Sequence, residues 1–387
     1  MKIKGYHLQL DKAVEIIIEN GIIKEISDIE YSEDLSFLSI GFTDLQVNGY
    51  CGIDYSSDTL TSDGIYSIVD DLMASGTAYH MPTIISQELN KTVNNIFTIT
   101  GAVKQSKFIR DAVVGIHLEG PYISPEDGVR GVHSKKFIRK PDINELKRCL
   151  DASYLEADTY LLKMITVAPE IEGAQEFIAE ARKLGVKVSI GHSNAKSDEI
   201  KRSVDNGVST STHLGNGITQ LIDRRENPIW QQLVDYRLKS GIIADGFHLN
   251  DEQIITFKRA KSLNNLFLVS DVGPYAGKKP GVYRWGTINV KVHEDGHLGL
   301  NGTPYLAGAG HLLDTCIANF INVTGCSIRE AIELVTGIPN QIIDKDNSRY
   351  LLEVNSRANL VQFSFVKGDR RLNIEKNIVD GRCVYLA

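Results

Sequence analysis

Two histidines each end a short β-branched run. His192 follows residues 186–190 and His213 follows residues 208–212. Both runs are bounded by turn-like sequence and read as buried strands. Between them, residues 195–206 carry an amphipathic helical pattern that Gly207 is placed to end. The unit is therefore strand, His, helix, strand, His. In a parallel barrel neighbouring strands end at one rim, so the two imidazoles meet at its mouth. Paired imidazoles on adjacent strand ends suit a zinc-type metal. A single histidine in such a loop is more often an inert, hydrogen-bonded group; the equivalence of the two positions favours ligation.

Further groups of the right chemistry end other runs. His117-Leu118-Glu119 closes one, and alternation puts Glu119 and His117 on one face, opposite Val114, Ile116 and Leu118. Asp271 closes the run 266–270. One carboxylate, Glu119, with two imidazoles, His192 and His213, makes a three-ligand site that leaves a position open, as catalytic zinc sites do. Asp271 is then placed as an acid/base beside it. Each carboxylate alone could be a strand-end cap or a salt-bridge partner; four such groups at the ends of four strands point to one site.

The elements that must position these groups are legible as a series. Candidate strands are 41–46, 77–84, 113–118, 160–166, 186–190, 208–212, 240–244 and 266–270, with helical patterns between most of them. In the helix over 171–184, Ala174, Phe177, Ile178, Ala181 and Leu184 share one face. Ser327 with Glu330 forms a capping box. The expectation is an α/β fold: a (β/α)8 TIM-like barrel over 40–348, with its site at the C-terminal strand ends. Residues 1–39 and 349–387 read as short strands, with Asn20-Gly21 and Asp380-Gly381 as hairpin turns. They are expected to form one small β-sandwich domain from both termini. The Gly-rich stretch 272–309 is expected to fold partly as a hairpin and a lid.

A chain of 387 residues with 42% hydrophobic content suits a barrel with an appendage. Its net charge of −7, without a basic tract, argues against nucleic acid as a partner. MKIKGYHLQLDKAVEII carries no signal-peptide pattern, and no run reaches membrane-spanning length. The five cysteines are scattered, with no CxxC pair. Reduced thiols in a cytoplasmic protein are expected, with Cys51 a buried, inert one. His80 reads equally as facing the mouth or packed, His311 as capping or packed, and His7, His293 and His297 as surface residues.

The motifs GFTDLQVNG (41–49), HLEGPYISPEDGVRGVH (117–133), VAPE (167–170), GHSNA (191–195), THLGNG (212–217), ADGFH (244–248), SDVGPYAG (270–277) and LAG (306–308), then ANLVQF and DGRCV, run through nearly the whole chain. In these the sequence resembles the N-acetylglucosamine-6-phosphate deacetylase family of the amidohydrolase superfamily. The resemblance implies hydrolysis of the N-acetyl group of N-acetyl-D-glucosamine 6-phosphate, giving glucosamine 6-phosphate and acetate in amino-sugar catabolism. It implies that Glu119, His192 and His213 hold the metal, and that Asp271 is the general base and then the general acid. His248 would polarise or position the acetyl carbonyl and contact the phosphate region. His133, with the backbone at Val132, would contact the sugar. Asn216 and Gly217 would present amides to the phosphate, and Arg225 would reach it across a homodimer interface. Leu306, Ala307 and Gly308 would line the acetyl pocket. The implied cofactor is one divalent ion, zinc by expectation, though iron and others suit the same donors.

The sequence also departs from the pattern. Most amidohydrolases carry His-x-His after the first strand; here Gln46-Val47-Asn48 stands there, and amides are poorer zinc ligands. One metal is therefore expected, with Gln46 and Asn48 as supporting groups. The family commonly reads THLYNAM, TDAxxPAG and REPG, where this chain has Gly215, Gly217, Tyr275 and RRENPIW around Arg225. These changes touch the sugar-phosphate pocket and spare the metal centre, so another N-acylated sugar or related amide is an alternative substrate. Cyclic-amide hydrolysis is opposed by Gln46, Asn48 and Glu119, because those relatives use His-x-His and a bridging lysine. A non-catalytic sugar-phosphate-binding barrel is opposed by the complete Glu119, His192, His213 and Asp271 set.

Overall fold

The computed structural model describes residues 1–343 and 351–387. Eight parallel strands lie where the sequence places them. They are β1 (Phe42–Val47), β2 (Thr77–Ile85), β3 (Ile116–Glu119) and β4 (Leu162–Val167). After them come β5 (Lys187–Ile190), β6 (Thr210–Ser211), β7 (Lys239–Ile242) and β8 (Leu266–Leu268). They pair in chain order as one eight-stranded sheet. The sheet closes where Val47 bridges Val272, the Asp271 N–H donates to the Gln46 carbonyl at 3.0 Å, and the Asn48 N–H donates to the Val272 carbonyl at 2.9 Å. A helix follows each strand, the last being Leu313–Thr324 after β8. The result is a (β/α)8 barrel.

The strands are buried on both faces, as a barrel enclosed by helices requires. Beneath the mouth the interior is polar and internally satisfied. His117 Nδ1 lies 3.3 Å from the Leu45 carbonyl, and its Nε2 lies 2.7 Å from Thr166 Oγ1. Thr166 Oγ1 meets Thr212 Oγ1 at 2.7 Å, and Thr212 donates to Ser189 Oγ at 2.6 Å. His117 thus shares a face with Glu119, as alternation requires, but it is committed to this floor.

The helix over Ala174–Lys183 buries Ala174, Phe177, Ile178 and Ala181. Leu184, expected on the same face, is its C-cap residue and is 36% exposed, because the helical turn that would carry it inward has already ended. The capping box of Ser327 and Glu330 forms as read from the sequence.

Strands from both ends of the chain build one seven-stranded sheet. Lys2–His7, Lys12–Glu19, Ile22–Asp28 and Phe37–Ile40 come from the N-terminal side; Leu360–Ser364, Asn373–Val379 and Arg382–Leu386 come from the C-terminal side. Phe37–Ile40, not among the expected strands, joins the two groups by pairing with Lys2–His7 and Leu360–Ser364. Both hairpins turn as expected, with φ of 49° and 80° at Asn20-Gly21 and 53° and 73° at Asp380-Gly381. An isolated antiparallel bridge joins Ile22, on the edge strand of this sheet, to Arg357, just ahead of Leu360–Ser364. The expected boundary at 348/349, and the start of the expected strand at 349–354, lie outside the described residues; residues 351–354 are not strand. His7 corrects another expectation. It is buried, with Nε2 3.1 Å from the Leu352 carbonyl and Nδ1 accepting the Leu10 N–H at 3.2 Å.

After β8 the chain forms a three-stranded antiparallel sheet, Gly281–Trp285, Ile288–Val292 and Leu298–Leu300. The expected hairpin is thus present with a further strand. Trp285 Nε1 donates to Asp54 Oδ2 at 2.9 Å, tying this sheet to the rim beyond β1.

Candidate active site

Glu119 is the last residue of β3, His192 and His213 come just after β5 and β6, and Asp271 comes just after β8. His192, His213 and Asp271 all adopt left-handed backbone, with φ of 50°, 32° and 52°. Side chains other than glycine's rarely accept this conformation, and such strain concentrates at functional sites. Here it accompanies convergence. Glu119 Oε1 lies 2.9 Å from His213 Nε2 and 3.2 Å from His192 Nε2, and the two Nε2 atoms are 3.2 Å apart.

The hydrogen-bond partners decide which imidazoles suit a cation. His192 Nδ1 is 2.7 Å from the Val129 carbonyl and must donate to it, so Nε2 keeps its lone pair toward Glu119. His213 presents Nε2 to the same point, while its buried Nδ1 has no partner. His133 also comes close: ligand atoms of Glu119, His133 and His192 lie within 4.8 Å of one another. Its Nδ1, however, accepts the Ser86 backbone N–H at 3.2 Å. A neutral His133 therefore carries its proton on Nε2, which is buried, unpartnered and 3.6 Å from Glu119 Oε2. Burial, followed by the charge of His192, pushes the His133 pKa down to about 4 and keeps the ring neutral. His133 is thus a donor, while a carboxylate oxygen with the Nε2 atoms of His192 and His213 makes a donor set that fits a zinc-class divalent ion.

The amides at the end of β1 support the acids. Gln46 Nε2 donates to Glu119 Oε1 at 2.8 Å, and Asn48 Nδ2 donates to Asp271 Oδ1 at 2.8 Å. Burial raises the Glu119 pKa, but the imidazoles of His133, His192 and His213 around it outweigh burial and hold the group well below its ordinary value. Burial, then the charge of Glu119, raises the Asp271 carboxyl, against His213, His248 and Asn48. Burial works to lower His213, yet Glu119 and then Asp271 carry it above its ordinary value.

A cavity of about 400 Å³ opens over this cluster. Val132, His133, Asn216, Gly217, His248, Leu306 and Gly308 line it with the four strand-end groups; Ala307 is fully buried behind. His248 Nδ1 pairs with Asp245 Oδ2 at 2.8 Å, and Asp245 Oδ1 accepts the backbone N–H groups of Phe247 and His248. Arg225 lies outside the cavity, in the exposed loop before the helix Pro228–Val234. Gly215 and Gly217 are backbone requirements of the β6 loop. Their φ values are 91° and 61°, and a Cβ on Gly217 would lie 2.8 Å from His192 Nδ1.

The cavity also contains residues that the sequence reading did not single out: Ile85, Thr219, Gln220, Gln253, Trp285 and Tyr305. Only Gln253 left a signal, as the partner of Asn250 in a capping box just after His248. His80 is packed, with Nε2 2.8 Å from Tyr55 Oη, and His311 stacks on Phe247 at 5.4 Å. Cys51 is partly exposed rather than buried, because it sits in the tight turn between two short rim strands. Its thiol is raised chiefly by burial, and all five cysteines are free.

A closed (β/α)8 barrel with a carboxylate and two imidazoles at its mouth, beside a buried aspartate, defines a metal-binding hydrolase of the amidohydrolase type. The enamidase of that superfamily superposes with a TM-score of 0.56 at 12% identity, over 99% of this chain and 94% of its own, which is a likeness of fold. No protein-family model matches the chain. The N-acetylglucosamine-6-phosphate deacetylase of Caenorhabditis elegans is 30% identical over 380 residues, 94% of this chain and 86% of that protein. The crystal structure of N-acetylglucosamine-6-phosphate deacetylase from Thermotoga maritima superposes with a TM-score of 0.85 at 27% identity, covering 100% of both chains. The chain belongs to the N-acetylglucosamine-6-phosphate deacetylase family.

Proposed function

We propose that this enzyme hydrolyses the N-acetyl group of N-acetyl-D-glucosamine 6-phosphate, releasing acetate and glucosamine 6-phosphate in amino-sugar catabolism. The observation that carries the reading is the convergence of Glu119 Oε1, His192 Nε2 and His213 Nε2 beside Asp271 in a chain of this family. Glu119, His192 and His213 hold one divalent ion, zinc in this reading. When bound there, such an ion polarises the acetyl carbonyl and acidifies the attacking water.

The remaining work falls to the chain. Asp271 takes the proton of the water and passes it to the leaving nitrogen. Asn48 occupies one carboxylate oxygen of Asp271, which leaves the other for that transfer. His133 Nε2–H is a fixed neutral donor for the carbonyl oxygen as charge builds on it; losing a donor of this kind typically costs roughly 10²–10³ in rate. His248, backed by Asp245, positions the acetyl group and the sugar near the phosphate. The backbone at Val132 contacts the sugar. Asn216, whose buried Nδ2 has no partner, and the Gly217 N–H face the phosphate. Arg225 reaches the phosphate of a neighbouring copy in a homodimer. Leu306, Ala307 and Gly308 enclose the acetyl methyl. In the same reading the protein works in the cytoplasm, with 40–348 as the catalytic unit and 1–39 plus 349–387 as the small β unit. Among the described residues no helix is long and apolar enough to cross a membrane.

The test is Asp271→Asn. With metal content unchanged, kcat is expected to fall by roughly 10²–10⁴; a metal-loaded variant with near-normal kcat removes Asp271 from the chemistry.

A further inference from the structure

Asn48 has an atom that the mechanism above leaves unused. Its Nδ2 donates to Asp271 Oδ1 at 2.8 Å and approaches the Asp271 carbonyl at 3.5 Å. Both partners are acceptors, so the orientation of the amide is fixed. Its Oδ1 is then a buried acceptor with no donor, on a residue 2% exposed that lines the cavity. The nearby Tyr55 N–H is already committed to the Asn48 backbone carbonyl at 3.0 Å. A buried acceptor without a partner is costly, and a ligand that supplies the missing donor gains by it.

We propose that Asn48 Oδ1 accepts the N–H of the scissile amide. This rests on the reading of the site as an amide hydrolase and adds a substrate-contacting group to it. The amide substrate brings one N–H, on the atom that Asp271 must protonate. With one amide held by Asp271 through Nδ2 and by the substrate through Oδ1, Asn48 sets the nitrogen against its proton donor. The proton count closes. Water gives one proton to Asp271 as its oxygen bonds to the carbonyl carbon, Asp271 gives that proton to nitrogen, the C–N bond breaks with its electron pair to nitrogen, and the original hydrogen stays on nitrogen, hydrogen-bonded to Asn48 Oδ1 throughout. The pairing also selects amides over esters, because an ester oxygen facing Asn48 Oδ1 sets two acceptors together.

The experiment measures binding by calorimetry on metal-loaded enzyme with Asp271 intact. The probes are two unreactive analogues of the substrate, a methylphosphonamidate with N–H at the scissile position and a methylphosphonate with O there. The parent enzyme is expected to favour the N–H analogue by roughly five- to tenfold, the worth of one hydrogen bond. Asn48→Ala is expected to bring the two affinities within about twofold, with metal content unchanged, because the lost bond to Asp271 weakens both analogues alike and only the bond to Oδ1 distinguishes them. Should Asn48→Ala fail to fold, Asn48→Ser, too short to reach the substrate, carries the same test. Equal weakening of both analogues in the variant, or an unchanged preference, overturns the inference and leaves Asn48 as a support for Asp271. Loss of metal in the variant also overturns it and makes Oδ1 a ligand instead. A parent enzyme that binds neither analogue and releases no acetate from the sugar phosphate overturns the underlying reading together with the inference.

Discussion

Asn48 and Gln46 show how one strand end tunes two acids. Gln46 steadies Glu119, the carboxylate proposed to hold the cation; Asn48 steadies Asp271, the one proposed to move the proton. The Asn48 hydrogen bond lowers the Asp271 pKa against burial and Glu119, which raise it. Asp271 must be ionised to accept a proton, so kcat/KM falls as pH drops through its pKa. Removing the Asn48 donor raises that pKa, and the acidic limb is expected to move to higher pH in Asn48→Ala. A bound cation lowers the pKa in parent and variant alike and leaves the sign of the difference intact. A pH–rate profile of each protein checks this; an unmoved or lowered limb contradicts it. At this scale the sequence showed the four principal groups, because alternation and strand ends are readable. It did not show which ring nitrogen faces the site. That depends on Val129 and Ser86, which are contacts from distant loops.

The β6 loop is the element where sequence and geometry diverge most usefully. Gly215 and Gly217 stand where the resembling family commonly has larger residues, and in sequence they read as changes to the sugar-phosphate pocket that spare the metal centre. Instead, Gly217 holds left-handed backbone beside His192, where a Cβ would lie 2.8 Å from His192 Nδ1. Gly217→Ala is expected to cost about 1–2 kcal/mol of stability and to reduce metal retention by displacing His192. Chemical denaturation and metal quantification check it; unchanged values for both would show that the loop gives way freely. The eight strands and the capping box of Ser327 were legible because their periodicities and end signals are local. The strand Phe37–Ile40 was not, since it merges with β1 into one apolar run. The burial of His7 was not, because it is made by Leu352 from the other end of the chain. The left-handed φ at His192, His213 and Asp271 leaves no mark in residue type, so the strain at the mouth emerges only in three dimensions.

Across the whole molecule, a barrel closed between β1 and the segment just beyond β8 brings the Asn48 and Asp271 amide–acid pair together at the seam. The three-stranded sheet over the mouth hangs from the same seam and is fastened by Trp285 to Asp54. Arg225 lies apart from its own cavity on an exposed loop that leads into the helix Pro228–Val234, where Trp230 and Val234, and Tyr236 just beyond, are 47%, 71% and 79% exposed. In the proposed homodimer this surface would meet a second copy and Arg225 would serve that copy's phosphate. Arg225→Ala is then expected to raise KM for the phosphorylated sugar with little change in kcat, which steady-state kinetics on the dimer measures. An unchanged KM excludes that role.

The most direct measurement is acetate release from N-acetyl-D-glucosamine 6-phosphate and from unphosphorylated N-acetylglucosamine, side by side, on protein whose metal content is known. The expected result is turnover of the phosphorylated sugar, strong preference over the unphosphorylated one, and one divalent ion per chain. Metal-loaded protein that releases no acetate from N-acetyl-D-glucosamine 6-phosphate would contradict the assignment and direct the search to other N-acyl substrates.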